Sequence, residues 1–306
     1  MRSLLILAPV LLVACAARAE LAGDANHLLN DYIKLDDAHQ EIAAARQAFV
    51  TDAGNNSALL KDIHPFFVAR NKIQPLRQLI LTDRKTLRNT LSYKNKAFGK
   101  LIANRHELVQ DAASYIAQYD LWVSLKAQIA ADLDQMRQSA DAGDHAALKA
   151  ACKAYFDDGH ARLQARLQWQ ADLAALKKDL AYKTPKIVPR MPPQQDLPAD
   201  AAEYLADRAD WEALGEQLGA DRNSLRAAVS DPNSGSLESI VLAFLNDRHA
   251  RRIKGVELYW DRYFIGTDNA YVPKDAKTTP LFTKSSVDLE DEDDELDLSP
   301  DEAGEK

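Results

Sequence analysis

The chain has 306 residues, with 38 basic and 46 acidic side chains and a formal net charge of −8. The excess negative charge lies at the C-terminal end, because residues 281–306 contain eleven acidic and two basic side chains. The body is therefore neutral and lacks the basic face that neutralises phosphates, which argues against nucleic acid as a partner. A chain of this length buries a core large enough to fold without disulfides.

The first twenty residues have the layout of a secretory signal peptide. Arg2 precedes a short apolar run, and small residues follow it. The run contains Pro9 and is shorter than the ~20 apolar residues that a membrane-spanning helix needs. The segment is therefore interpreted as a cleaved leader rather than a transmembrane anchor.

Two cleavage sites overlap in this leader. Leu12-Val13-Ala14-Cys15 resembles the lipobox of bacterial lipoproteins, in which the cysteine is lipidated and becomes the first mature residue. This resemblance implies a signal peptide of residues 1–14 and lipidation at Cys15. The alternative is an A-x-A site ending at Ala19, which would remove residues 1–19.

Residues 24–50 predict one amphipathic helix. Leu28, Leu35, Ile42 and Phe49 are spaced by seven, so they lie along a single apolar seam. The polar and glycine-containing stretch 51–57 has the composition of a turn and should end this helix.

An unusually long heptad pattern follows. Its members are Phe66, Ile73, Ile80, Leu87, Lys94, Leu101, Leu108, Tyr115, Trp122, Ile129 and Met136. One reading is a turn at 92–95 between two antiparallel helices of a bundle. The other is one helix of roughly 70 residues, about 105 Å long. Helices beyond about 25 residues are uncommon outside coiled coils, which favours the turn.

The core of this region is expected to contain five members of the pattern: Leu101, Leu108, Tyr115, Trp122 and Ile129. Two prolines precede them. Pro65 suits the first position of a helix, whereas Pro75 should kink the helix or mark a later start.

A loop at 139–144 leads into a predicted helix at 146–182, which carries Cys152 in an apolar pattern. Since Cys15 is either lipidated or removed, Cys152 is the single remaining thiol and no intramolecular disulfide can form. It is interpreted as a buried small hydrophobe, with a redox or catalytic thiol as the alternative.

The composition changes at 183–198, where five prolines predict an extended connector. Three shorter elements are predicted beyond it. Asp200-x-x-Glu203 resembles a capping box that opens a helix closed by Gly219. A short helix follows Asp221, and a further helix begins after Ser236.

Together these elements predict an all-α protein. An elongated antiparallel helical bundle with heptad seams occupies residues 24–182, and a smaller C-terminal helical segment occupies 199–265. The acidic residues of 281–306 repel one another and offer little apolar surface, so this tail is expected to be disordered.

The densest basic cluster is the candidate site for an anionic partner. It consists of Arg248, Arg251, Arg252 and Lys254, of which the three arginines share one side of a helix. Anionic headgroups, a phosphorylated ligand or the chain's own tail would suit it. The alternative is a solvated face whose charges pair with acidic groups on neighbouring helices.

The sequence contains no catalytic motif and no metal-binding motif. The seven histidines lack the spacing of metal ligands, so neither a metal nor a cofactor is expected. Asp157-Asp158-Gly159-His160 and Asp141-Ala142-Gly143-Asp144 are acidic, but turns and helix ends select the same residues. No catalytic residue is therefore assigned.

The body is similar to uncharacterised all-helical envelope lipoproteins through Asn30-Asp31-Tyr32-Ile33 and Ser114-Tyr115-Ile116. With the lipobox, this resemblance implies a protein held in a bacterial membrane by lipid on Cys15. Ala16, rather than aspartate, follows that cysteine, which suits the periplasmic side of the outer membrane. A soluble periplasmic or secreted protein is the alternative.

The expected function is non-catalytic binding of another envelope protein, as a scaffold, an adaptor or a toxin-neutralising partner. Long helices with grooves between them suit such recognition. Two alternatives remain open: a carrier that holds an apolar ligand in a cavity of the bundle, and an envelope enzyme whose site is assembled by folding.

Overall fold

A computed structural model describes the backbone of residues 7–52, 56–94, 96–101, 107–187, 196–231 and 236–268. This part of the chain forms six α-helices and no β-strand, which confirms the all-α prediction. The helices are α1 (Leu7–Asp52), α2 (Asn56–Thr90), α3 (Leu108–Asp141), α4 (His145–Asp179), α5 (Leu197–Ser230) and α6 (Leu237–Asp268).

Consecutive helices pair as three antiparallel hairpins, α1 with α2, α3 with α4, and α5 with α6. In the second hairpin, the Ser114 hydroxyl near the start of α3 donates to Asp172 near the end of α4 at 2.7 Å. In the third, the Lys254 ammonium of α6 lies 2.8 Å from Asp207 of α5. The paired, bundle-like arrangement agrees with the expected bundle.

The long heptad pattern is broken, as the turn interpretation predicted, but the break is longer than 92–95. Helix α2 ends at Thr90 and α3 begins at Leu108. Ser92 has a positive φ of 50° and therefore cannot continue the helix. Leu101 is 39% exposed, so its predicted place in the core is wrong, and Leu108 is only half-buried. The seven-residue spacing across this segment is coincidental.

Helix α2 continues through both of its prolines, so neither marks its start. A proline inside a helix removes a backbone hydrogen bond and introduces a steric clash. Here the apolar face outweighs that cost, because Ile63 and Phe66 beside Pro65, and Ile73 before Pro75, are buried.

The predicted 139–144 loop is a tight turn from Ala142 to Asp144. Gly143 adopts a φ of +66°, which glycine accepts without steric cost and which closes the end of α3. Asp144 then caps α4, since its carboxylate accepts from the backbone N–H groups of Ala146 and Ala147 at 3.0 Å each.

The predictions beyond the connector need correction. Helix α5 begins at Leu197, and Asp196 rather than Asp200 is its N-cap, accepting from the backbone N–H of Ala199 at 3.1 Å. Pro198 lies in the first turn, where no backbone donor is needed. Gly219 does not close the helix, because Leu218 and Leu225 bury one continuous face across it. The two predicted elements are thus one helix.

Helices on both sides of the connector share the hydrophobic core. One cluster contains residues of all of the first four helices together with Tyr204 of α5 and Leu258 of α6. A second cluster joins Tyr115 of α3, Trp169 of α4 and Phe244 of α6. Helices α5 and α6, with 34 and 32 residues, match α3 and α4 in length. The C-terminal segment is therefore a third hairpin, smaller than the preceding bundle because it contributes two helices rather than four.

Each hairpin also contains carboxyl pairs across its helix–helix contact. In each pair, burial and the second carboxyl raise the pKa of one member, which reaches about 6 for Asp132. The pairs are Asp62 with Asp52, Asp83 with Asp31, Asp132 with Asp158 and Asp221 with Asp247.

Asp261 of α6 is also a buried carboxyl group, with 2% of its surface exposed. Burial, followed by the negative charges of Asp207, Glu203 and Glu257, raises the pKa of Asp261 to about 7, although Arg262 opposes the shift. The folded chain therefore binds a proton at Asp261 more tightly than the unfolded chain does.

Replacing Trp122 by alanine is expected to lower the free energy of unfolding by ~3–5 kcal/mol, because a buried aromatic side chain is lost. Trp122 is 6% exposed, and its ring lies 5.7 Å from that of Trp169. Leu101→Ala should cost less than ~1 kcal/mol, since the side chain is largely at the surface. Urea denaturation measures both losses in the free energy of unfolding. Equal losses would contradict the conclusion that the heptad pattern is interrupted between α2 and α3.

The raised pKa of Asp261 predicts pH-dependent stability. Below the ordinary carboxyl pKa of 3.8 both states are protonated, whereas between 3.8 and about 7 the folded state alone holds the proton. The stabilisation is therefore lost as the pH rises through this range. Asp261→Asn, which mimics the neutral carboxyl, should raise stability at pH 8 by on the order of 2–4 kcal/mol.

The matched control is Asp134→Asn, because the Asp134 side chain is 68% exposed. It should leave the free energy of unfolding nearly unchanged at every pH. If Asp261→Asn shows the same pH dependence as the unmodified chain, Asp261 is ionised in the folded state and the assignment is wrong.

Candidate binding groove

The lysine of the predicted basic patch is paired with acidic residues of its own hairpin. The Lys254 ammonium lies 2.8 Å from Asp207, 2.9 Å from Glu257 and 3.4 Å from Asp210. Although burial lowers its pKa, the hydrogen bonds to Asp207 and Glu257 raise the pKa of Lys254 above its ordinary value. Lys254 therefore joins α6 to α5.

The arginines of the patch are half-buried rather than fully exposed. The Arg251 guanidinium lies 3.9 Å from the ring centroid of Trp211, and Arg208 lies 4.7 Å from the same ring. Gly215 provides space for the Arg251 side chain, because a Cβ at position 215 would lie 3.3 Å from the Arg251 guanidinium carbon. Arg248 and Arg252 also interact within the chain. This arrangement favours a structural role for the patch.

The other predicted features are only partly described. Cys15 lies in α1, where the backbone but not its side chain is described. Residues 281–306 and residues 188–195 of the connector lie outside the described residues. Cys152 is fully buried, and burial raises the pKa of its thiol to about 12. An un-ionised, inaccessible thiol is a poor nucleophile, which fits the interpretation of Cys152 as a core residue.

A groove of about 540 Å³ lies between α3 and α4. Four glutamines supply both hydrogen-bond donors and acceptors along it, and Ser114 adds a hydroxyl. The lining residues are Lys100, Gln110, Asp111, Ser114, Gln118, Leu121, Ala161, Gln164, Ala165, Gln168 and Asp172. The groove is open to solvent, and its donors and acceptors are arranged in rows on facing helices.

The two ends of the groove differ in chemistry. Asp111 and Asp172 lie at one end and are 2% and 4% exposed. Asp172 is held in place, because it accepts from Ser114 at 2.7 Å and from Gln168 at 2.8 Å. Leu121, which is 44% exposed, lies toward the other end, where the helices contribute small apolar residues. The groove therefore runs from an acidic end to an apolar end.

A segment between the hairpins, which we call the strap (residues 93–94 and 96–101), runs beside α4. Asp157 of α4 anchors its start, accepting from the Tyr93 hydroxyl at 2.8 Å and pairing with Lys96 at 2.8 Å. Although burial opposes the shift, the hydrogen bonds from Lys96, Lys153 and Tyr93 lower the pKa of Asp157 to about 2. The anchoring carboxylate is therefore charged at neutral pH.

The rest of the strap leads to the groove. The Phe98 ring stacks on His160 with centroids 4.5 Å apart and planes 8° apart. Gly99 follows, and any Cβ at this position would collide with the amide of Gln164. The strap then places Lys100 at the groove wall. It thus brings a positive charge to a groove that also contains two carboxylates.

Aromatic side chains of α3 and α4 pack against one another next to residues that line the groove. The Trp169 ring lies 5.7 Å from each of the Tyr119 and Trp122 rings. The Arg162 guanidinium lies 4.7 Å from the Trp122 ring centroid, and Arg222 of α5 lies 4.1 Å from that of Tyr119. These contacts join α3 to α4 and α3 to α5.

Sequence reasoning missed this groove. Asp157-Asp158-Gly159-His160 had the composition of a turn, yet it lies inside α4, where Asp157 and His160 hold the strap. Ser114 and Gln168 were not identified as candidate site residues. A row of polar residues at helical spacing, from Gln164 through Gln168 to Asp172, was the available signal.

Among the described side chains, no group of three histidine, cysteine, aspartate or glutamate residues is placed to hold a metal ion. No helix in the part of the chain that the structure describes has the length and apolarity of a membrane span. Comparison of the chain with protein-family models, curated proteins and solved structures finds no match.

Proposed function

We propose that this chain is a non-catalytic, lipid-anchored protein of the bacterial envelope that binds another protein through the groove between α3 and α4. The observation that carries the proposal is the row of carboxamide side chains along both walls of an open groove. Carboxamides donate and accept hydrogen bonds, as the peptide backbone does, and so suit a segment of a partner protein. Lipid on Cys15 would hold this surface at the membrane.

The geometry gives less support to the two alternatives. A carrier of an apolar ligand needs an enclosed cavity that surrounds the ligand, whereas this groove is open to solvent and eight of its eleven lining residues have polar side chains. The carboxyl pairs resemble catalytic pairs in having raised pKa values. However, they occur in all three hairpins, which points to a feature of helix packing rather than one reaction centre.

Position-specific photo-crosslinking in living cells tests the proposal. A benzophenone amino acid at Gln110, a groove residue, is expected to capture one partner protein. The same probe at Gln128, an exposed residue of α3 that does not line the groove, should not capture that partner. Gln118→Trp, which fills the groove, should abolish capture from Gln110.

Cell fractionation in the same experiment measures membrane anchoring. Cys15→Ala should release the protein from membranes and should reduce capture because the chain loses its place near the partner. Equal capture from Gln110 and Gln128, or capture that survives Gln118→Trp, would contradict recognition through the groove. A Cys15→Ala protein that stays with the membrane would contradict the proposed lipid anchor but not recognition through the groove.

A further inference from the structure

We infer that the exposed lysines of the strap and of α4 form a docking surface for the acidic tail of the same chain. The segment that docks is the run of six consecutive carboxylate side chains at 290–295. This inference goes beyond the proposed function and does not depend on it. The surface, which we call the lysine face, consists of Lys94, Lys96, Lys100, Lys149 and Lys153.

The opposite charges of the strap and the tail are visible in the sequence. Residues 84–101 contain six basic side chains and no acidic one, although the body of the chain as a whole is neutral. Residues 281–306 are the opposite case, with eleven acidic and two basic side chains. The two segments therefore attract each other until salt screens their charges.

The lysine face keeps most of its positive charge in the folded chain. Asp157 is the acidic partner of two of its members, and it lies 2.8 Å from Lys96 and 2.9 Å from Lys153. Asp158, the next residue, contacts Asp132 of α3 instead. The other three lysines form no ion pair within the described part of the chain. Five ammonium groups are thus balanced by one carboxylate.

The arginine-rich patch of α6 is less suitable for the tail. The Arg251 guanidinium lies 3.9 Å from the Trp211 ring centroid, and Lys254 pairs with three acidic groups. An anionic segment would have to displace these contacts. The lysine face requires no such displacement at the three lysines that lack an ion pair among the described residues.

The length of the lysine face matches that of the acidic run. Lys149 and Lys153 are four residues apart and therefore lie on one side of α4. At the other end of the face, Gly99 of the strap lies against Gln164 of α4. The intervening part of α4 rises about 22 Å. Six extended residues, such as 290–295, cover about 20 Å and direct every second carboxylate toward the surface.

The tail is also long enough to reach the strap. Gly266 near the end of α6 lies beside Phe67 near the start of α2. From Phe67 to Thr90, where the strap follows, α2 rises about 35 Å. The 21 residues at 269–289 can span about 70 Å when fully extended. The acidic run can therefore reach the lysine face without any movement of the described helices.

Carbodiimide crosslinking of the full chain, followed by mass spectrometry, tests the inference. The reagent joins an ammonium group to a carboxylate that is in direct contact with it. Crosslinks from 290–295 should form at the lysine face and should be rare at Lys85, Lys183 and Lys186, which are also exposed. In an equal mixture of nitrogen-15-labelled and unlabelled chains, both ends of each crosslink should carry the same label.

The test variant combines Lys94→Gln, Lys100→Gln and Lys149→Gln. It removes three positive charges without breaking an ion pair of the described residues. Crosslinking of the tail to Lys96 and Lys153 should then fall about fivefold, the effect expected when three exposed ion pairs are lost.

The matched control combines Lys85→Gln, Lys183→Gln and Lys186→Gln. It changes the net charge by the same amount outside the lysine face and should leave the tail crosslinks unchanged. The crosslink between Lys96 and Asp157, which are 2.8 Å apart, should form in every variant and shows that the strap is in place.

Three outcomes would overturn the inference: tail crosslinks spread evenly over all exposed lysines, equal losses in the test and control variants, or crosslinks that join two different chains. Absence of tail crosslinks in a sample that forms the Lys96–Asp157 crosslink would overturn it as well. None of these outcomes bears on the groove, because capture from Gln110 is measured separately.

Discussion

The fully buried ring of Tyr115 packs the second hairpin against the third. It lies 6.1 Å from Trp169 of α4 and 5.3 Å from Phe244 of α6, centroid to centroid. A two-helix hairpin has too little apolar surface to bury its own inner face completely, so it must pack against another. The contact of Tyr115 with Trp169 and Phe244, which we call the aromatic junction, buries the inner faces of the second and third hairpins against each other. The burial that it produces raises the pKa of the Tyr115 hydroxyl.

The groove depends on the same junction because neighbouring residues face opposite sides. Ser114 lines the groove while Tyr115 enters the core, and Gln168 lines the groove while Trp169 enters the core. A change in core packing would therefore move the hydrogen-bonding groups directly. The strap adds a second constraint, since the charged Asp157 holds its start beside α4.

Local rules predicted much of this fold from the sequence. Heptad spacing found the helices, and the stretches 51–57 and 139–144 were identified as breaks from their turn-forming residues. Such rules failed where tertiary contacts decide. Gly219 stays helical because Leu218 and Leu225 pack on both sides of it, and Leu101 is exposed although it is in heptad register.

Local sequence rules could not predict the groove either, for a related reason. Asp111 and Asp172 are 61 positions apart in sequence, and only the pairing of α3 with α4 brings them to one end of a groove. The basic patch, in contrast, was visible as a run of charges. Its acidic and aromatic neighbours, such as Asp207 and Trp211, come from the facing helix α5.

The dependence of the groove on the aromatic junction can be measured by native-state hydrogen exchange in the Phe244→Ala variant. Phe244 lies on α6 and does not line the groove. Loss of its contact with Tyr115 should accelerate amide exchange at least about tenfold in the groove-lining parts of α3 and α4, because a buried phenylalanine contributes ~3–5 kcal/mol. Acceleration confined to α6 would contradict the account, since the hairpins would then open independently.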